Sequence, residues 1–148
     1  DLQNYLLRYK PDIVHFSGHG DPSSEILLED KSGKSRPISV RALSQLFSVL
    51  KDNIKCVILN ACYSEQQAQA IAEHIDCVIG MSKAIDDRAA ISFAAAFYQA
   101  LGFGRNVKTA FDLGCVELLD SENLEEQDIP KIIAQDKKPE EIVFVSDQ

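Results

Sequence analysis

The chain has 148 residues, of which 45% are hydrophobic and 26% are charged, the size and composition of a single globular domain. Its 15 Lys and Arg side chains against 23 Asp and Glu side chains give a formal net charge of −8. An acidic chain without a block of basic residues is a poor candidate for binding nucleic acid or an anionic membrane, so we expect neither among its partners.

Four short apolar runs predict the strands of a mainly parallel sheet, because a strand that is covered on both faces is apolar throughout. In chain order they are Ile13 to Ser17, Cys56 to Ala61, Cys77 to Met81, and Ile142 to Val145. A β-hairpin inserted between the first two is expected over Glu25 to Ser39, with its turn near Ser32 and Gly33.

Apolar side chains spaced three and four residues apart predict four helices between these strands. The first contains Leu43 and Phe47, and the second follows a capping-box pattern of Ser64 and Gln67. The other two run in succession and contain Ala90, Phe93, Ala94, Phe97 and Leu101, then Val107, Ala110, Phe111, Gly114 and Leu118. Residues 120–140 are acidic and polar and predict a variable loop before the last strand. Alternating strands and helices predict an α/β sheet with helices on both faces, which binds ligands beyond the carboxyl ends of its strands.

The cysteines indicate a reducing environment rather than a metal site. They are Cys56, Cys62, Cys77 and Cys115, and no two of them form the CxxC pair that is typical of structural zinc sites. Free cysteines are common as small buried residues of cytosolic proteins. The sequence therefore predicts a cytoplasmic protein with no metal site and no other cofactor.

A histidine and a cysteine follow the first two predicted strands, at the edge where such a sheet binds its ligands. His19 lies two residues after Ser17, and Cys62 follows Ala61 directly. Neighbouring parallel strands are about 4.8 Å apart, so the two side chains can meet if these strands are neighbours. A cysteine with a histidine beside it has the nucleophile and the general base that acyl transfer requires. The sequence therefore predicts a catalytic pair formed by Cys62 and His19.

Backbone groups around this pair extend the predicted site. Cys62 precedes a helix that begins near Glu65, and the positive end of a helix favours a thiolate. The N–H groups of Gly20 and Cys62 would form an oxyanion hole. The sequence shows no third catalytic side chain, and a Cys–His dyad does not require one. His15, which alternates with Ile13, is interpreted as an interior residue rather than a catalyst.

Three segments of the chain resemble the CHAT domain, a bacterial branch of the caspase-like cysteine proteases. They are Asp12 to Gly20, Val57 to Ser64, and Val78 through Asp86 to Leu101, within a similarity that runs from residue 1 to about residue 119. The resemblance implies that His19 and Cys62 form the catalytic dyad. It also implies a caspase-like three-layer sandwich around a mainly parallel, six-stranded sheet. Because the family pattern has two strands ahead of the His strand, we expect residues 1–148 to be an N-terminally incomplete domain, or another segment to supply those strands. Without them the sheet would have an exposed edge.

The same resemblance implies a regulated cysteine endopeptidase that cleaves a partner protein in bacterial signalling or defence. It further implies a fused or associated regulatory domain. Asp86 and Asp87 match the region that helps to line the P1 pocket in related proteases, where a buried carboxylate would favour Lys or Arg. The alternative is that one of the two simply caps the following helix.

Two other functional classes compete with a protease. A cysteine after a strand is commonly a packing residue and a Gly-His-Gly segment is commonly a turn, so a non-catalytic caspase-like interaction module remains the alternative. A nucleotide-binding switch is disfavoured, because the chain has neither a Walker A motif nor a G-x-G-x-x-G motif.

Overall fold

A computed structural model of the protein describes residues 12–17, 19–20, 26–29, 35–52, 54–120, 128–134 and 139–144. Within these ranges the elements are β1 (Ile13–Ser17), β2 (His19–Gly20), β3 (Ile26–Glu29), β4 (Ser35–Ile38), α1 (Val40–Leu50), β5 (Cys56–Asn60), α2 (Glu65–Ile71), β6 (Cys77–Met81), α3 (Asp87–Gly102), α4 (Val107–Glu117) and β7 (Pro130–Ala134). Single 3-10 turns cover Leu118–Asp120 and Pro139–Glu141. None of the helices in the described ranges is long and apolar enough to cross a membrane.

The central sheet has the strand order β1-β5-β6-β7. β1, β5 and β6 are parallel, and β7 runs antiparallel to β6. The predicted mainly parallel α/β sheet is therefore confirmed, although the described ranges contain four of its strands rather than six. A second sheet contains β2, β3 and β4, and the antiparallel pairing of β3 with β4 confirms the predicted hairpin. The predicted turn at Ser32 and Gly33 lies outside the described residues.

Two hydrophobic cores, one on each face of the central sheet, hold the layers together. Strands β5 and β6 alternate their side chains between the two faces, which is why these runs are apolar throughout. On one face α1 and α2 bury Val14, Phe16, Leu43, Phe47, Val57, Leu59, Ala68, Ile71 and Val78. On the other face α3 and α4 bury Ile58, Ile79, Ile85, Phe93, Phe97, Val107, Phe111 and Leu118. The sheet is thus the middle of three layers.

Polar side chains and one glycine set the ends of the longer helices. The Ser39 side chain accepts a hydrogen bond from the Ala42 N–H at 3.1 Å and starts α1. Asn106 starts α4 in the same way through the Thr109 N–H at 2.8 Å. Gly104 has φ 85°, a conformation that a glycine adopts without strain, and it separates α3 from α4.

The last predicted strand is wrong, and a strand lies inside the predicted loop instead. No strand forms over residues 142–144, where Ile142 is buried in the core beneath α3 and α4 after a 3-10 turn. The sheet gains β7 (Pro130–Ala134), which falls within the loop expected over residues 120–140. A proline at the first position of an edge strand costs no ladder hydrogen bond. The apolar run from Ile142 therefore reflects burial rather than strand pairing.

We expect Gly114→Ala to destabilise the fold, because α4 packs closely against α3 at this residue. A Cβ at Gly114 would lie 2.6 Å from Cδ2 of Phe93, whose ring is fully buried between Phe97 and Phe111. Overpacking of this kind costs about 1–3 kcal/mol, which exceeds the roughly 1 kcal/mol that alanine gains over glycine in a helix. The measurement is the free energy of unfolding in urea.

Gly102→Ala is the matched control, because a Cβ there would meet nothing within 4 Å. This second substitution is expected to leave the protein equally stable or slightly more stable. Equal stability of Gly114→Ala and wild type would contradict the packing described for α3 and α4.

Candidate active site

The register of β1 and β5 brings the two predicted catalytic residues to the same edge of the sheet. The strands are parallel neighbours, and their last paired positions are Ser17 and Asn60. His19 lies two residues after Ser17, and Cys62 lies two residues after Asn60. The neighbouring position of these strands was an assumption of the sequence analysis, and the structure confirms it.

Cys62 lies in a tight turn between β5 and α2 that requires an unusual backbone. Tyr63, the next residue, has φ 58°, a left-handed conformation that costs a non-glycine residue about 1–2 kcal/mol. The Tyr63 N–H donates a hydrogen bond to the Lys83 carbonyl at 3.3 Å, which contributes to holding this conformation. The thiol of Cys62 is half-buried beside the core under α3. The turn therefore leaves the thiol partly accessible at the end of the sheet.

Ser64 fixes this turn between the ends of two strands. Its hydroxyl donates to the Leu59 carbonyl at 2.9 Å and accepts from the Met81 N–H at 2.9 Å. The β5–β6 ladder ends at the pair Ile58 and Ile79, so the fully buried hydroxyl bridges the strands where they separate. The sequence predicts a capping box formed by Ser64 and Gln67. That prediction is wrong, because the Ser64 side chain makes no cap hydrogen bond.

The loop between β6 and α3 runs alongside the cysteine turn. The Ile85 N–H donates to Sγ of Cys62 at 3.4 Å, and the thiol is within 3.6 Å of the Ile85 carbonyl as a donor. With the contacts of Tyr63 and Ser64, three consecutive residues of the turn are bonded to the segment from Met81 to Ile85. Nothing in the sequence indicates a backbone contact between these two distant segments.

His19 and Gly20 form β2, which pairs with β3 in the second sheet. Their partners in the antiparallel register are Leu27 and Ile26. The backbone of His19 is therefore described, and its side chain lies outside the described part of the structure, as does Gly18. The contact of His19 with Cys62 and the oxyanion hole of Gly20 and Cys62 stay predictions.

His15, the histidine of β1, lies on the α3 face of the sheet. Nδ1 of His15 is 2.7 Å from the Tyr98 hydroxyl, and partial burial of the ring lowers the pKa of His15. Burial also raises the pKa of Tyr98, with a further contribution from Cys56. The sequence predicts an interior residue at position 15. That prediction is wrong, because His15 is exposed, although its Nδ1 has a hydrogen-bond partner.

Asp86 and Asp87 directly follow the residue that contacts the Cys62 thiol. Asp86 occupies the N-cap position of α3 without a side-chain cap hydrogen bond, and Asp87 lies in the first turn. Both residues are exposed. Neither carboxylate therefore has the buried position that was expected for a residue of the P1 pocket. Lys83 and Arg88 on the same segment add two positive charges.

The remaining cysteines differ from Cys62 in their surroundings. A hydrogen bond with Cys77 and complete burial raise the pKa of Cys56. Burial raises the pKa of Cys115 to about 11, and the Asp112 carboxylate adds to the effect. A thiol with a raised pKa is largely protonated at neutral pH, so Cys115 is expected to be a weak nucleophile there.

Comparison with known families gives a match over most of the chain. The family model described as CHAT domain matches residues 2–132. A Roc-COR-CHAT protease from an unknown prokaryotic organism is 29% identical over 107 residues, which cover 68% of this chain and 10% of that protein. A probable protease of Gillisia limnaea is 32% identical over 103 residues, which cover 68% of this chain and 18% of that protein. The chain therefore corresponds to less than a fifth of either relative.

A solved structure with the same fold is a secreted C11 cysteine protease from Bacteroides thetaiotaomicron in complex with an irreversible peptide inhibitor. The match covers 90% of this chain and 44% of that protein, with a TM-score of 0.61 and 17% sequence identity. At this identity the likeness shows the fold alone.

Proposed function

The chain belongs to the CHAT-domain family, and on that premise we propose that it is a cysteine endopeptidase. Cys62 is the nucleophile and His19 is the general base and acid. The observation that carries the proposal is the register of β1 and β5, which sets both residues two positions beyond Ser17 and Asn60. The protease names of two relatives add support.

The proposed reaction proceeds through a thioester. His19 takes the proton of the Cys62 thiol, and Sγ attacks the carbonyl carbon of the scissile peptide. The N–H groups of Gly20 and Cys62 donate to the oxyanion. The C–N bond then breaks as His19 gives the proton to the leaving amine. Water, deprotonated by His19, attacks the thioester, and the carboxylic acid leaves with recovery of the thiol.

Basic substrates are proposed for the same site. Asp86 and Asp87 follow Ile85, which touches Sγ of Cys62, and their carboxylates are exposed to an incoming peptide. A charge-assisted hydrogen bond from Lys or Arg at the P1 position would satisfy such a carboxylate. We therefore propose that a Lys or Arg side chain at P1 contacts either Asp86 or Asp87.

The biological setting is proposed from the relatives and the cysteines. The chain spans 10% and 18% of the length of the two relatives, and one of them is named as a Roc-COR-CHAT protein. A fused or associated domain that regulates cleavage of a partner protein, in bacterial signalling or defence, fits that organisation. Four free cysteines support a reducing, cytoplasmic setting.

Covalent labelling tests the nucleophile. A dye-linked peptide ketone with Lys at P1 is expected to label the wild-type protein at Cys62, located by peptide mass mapping. Cys62→Ala should lose the label. Cys115→Ala should retain it, because the raised pKa of Cys115 makes that thiol a weak nucleophile at neutral pH. A wild-type protein that is not labelled and cleaves no member of a peptide library would favour the non-catalytic interaction module.

A further inference from the structure

We infer that the peptide N–H of Ile85 is the third component of the Cys62 site and stabilises the thiolate. The inference rests on the proposed role of Cys62 as nucleophile. The N–H of Ile85 lies with its nitrogen 3.4 Å from Sγ, which is a direct contact with the reacting atom. No catalytic side chain was predicted for this position, since the contact is made by backbone.

The Ile85 peptide is held in place by the core. Its side chain is 7% exposed and packs among the residues buried under α3 and α4, whereas the neighbouring Lys83, Ala84 and Asp86 are exposed. At the start of the loop, the N–H and the hydroxyl of Ser82 both donate to the Ile129 carbonyl, at 2.9 and 3.0 Å. A donor that is fixed before the reaction needs no reorganisation as charge develops on sulfur.

The dipole of α2, the helix that follows Cys62, stabilises the thiolate less than the position of the helix in the sequence suggests. α2 has only seven residues, and Glu65 lies in its first turn. A carboxylate at the start of a helix compensates the positive end of the helix dipole. The Ile85 N–H supplies a donor from a different segment, on which the exposed carboxylates of Asp86 and Asp87 follow.

One residue serves both protonation states of the thiol. The neutral thiol donates to the Ile85 carbonyl at 3.6 Å and accepts from the Ile85 N–H at 3.4 Å. Loss of the proton removes the first bond and strengthens the second, because a hydrogen bond to an ionised acceptor is stronger than one to a neutral acceptor. The donor is also the closer of the two groups. The contact therefore orients Sγ in the thiol and stabilises the thiolate.

An amide-to-ester replacement at Ile85 removes this N–H and keeps the isoleucine side chain. The rate of Cys62 alkylation by iodoacetamide, followed by peptide mass mapping, is expected to fall roughly tenfold at neutral pH. In strongly alkaline buffer the rates should be equal, because high pH supplies the thiolate without help from the N–H. A purely structural effect would slow the reaction in both buffers.

The same replacement at Ile142 is the matched control. Ile142 is also buried in this core, and its N–H donates to the Pro139 carbonyl at 3.2 Å, away from the cysteine. It should leave Cys62 alkylation unchanged, and Cys115 alkylation should be unchanged in both variants. An unchanged or faster reaction of Cys62 in the Ile85 variant would overturn the inference. Alkylation needs no peptidase activity, so a protein that cleaves no peptide yet shows the tenfold effect would contradict the proposed function alone.

If the ester variant does not fold, Ile85→Ala gives the second measurement. This substitution keeps the N–H but removes the side chain that fixes it. Its neutral-pH alkylation of Cys62 should be slower than that of Ile142→Ala, with the difference disappearing in alkaline buffer. Equal rates in the two variants at neutral pH would contradict the proposed role of the Ile85 peptide.

Discussion

Substitution of either member of the predicted dyad is expected to abolish useful peptidase activity. Cys62→Ala removes the nucleophile, and kcat/KM for a peptide with Lys or Arg at P1 should fall to background. His19→Ala removes the general base and should lower kcat/KM by about 10²–10⁴-fold. Both values are measured by release of a fluorescent amine, with folding checked by thermal unfolding.

His15→Ala is the matched control for His19→Ala. His15 lies on β1, four residues before His19, and its Nδ1 is 2.7 Å from the Tyr98 hydroxyl. It should retain most of the activity. A similar loss of activity in the His15 and His19 variants would show that the sequence motif, and not a specific base, was being disturbed.

Ser64→Ala is expected to cost about 3 kcal/mol of folding free energy. The change leaves the Met81 N–H without its acceptor and removes a donor from the Leu59 carbonyl, both next to a fully buried side chain. Each buried group left unpaired costs about 1–3 kcal/mol. The free energy of unfolding in urea measures the effect, and labelling of Cys62 by the peptide ketone should also fall.

Ser44→Ala separates this effect from the loss of a single, partly buried hydroxyl hydrogen bond. The Ser44 hydroxyl donates one hydrogen bond to the Ala70 carbonyl at 3.3 Å, between α1 and α2 and away from the cysteine turn. Its removal should cost about 1 kcal/mol and leave labelling intact. Equal destabilisation by both substitutions would contradict the bridging role of Ser64.

Most of the fold follows from periodicity in the sequence. Strands β5 and β6 are apolar on both faces because helices cover both, and β6 coincides with the predicted run from Cys77 to Met81. The helix with Phe93 and Phe97 was predicted from their spacing, and both rings are fully buried. β7 was missed because only Ile132 and Ile133 in that strand suggest burial, within a polar segment.

The candidate site was predictable in position but not in detail. Parallel strands expose their carboxyl ends at one edge, so the positions of His19 and Cys62 followed from the topology. The bridge made by Ser64 could not be predicted, because it depends on where the strands separate. The contact of Ile85 with sulfur is made by backbone atoms, which have no sequence signature.

The left-handed backbone at Tyr63 limits which side chains this position tolerates. Burial alone would mark the half-exposed Tyr63 as permissive, but φ 58° disfavours branching at Cβ. Valine or isoleucine at position 63 would strain the turn that contains Cys62, whereas glycine or asparagine would relax it. We therefore expect mutational tolerance next to Cys62 to depend on a main-chain angle rather than on the chemistry of the phenol ring.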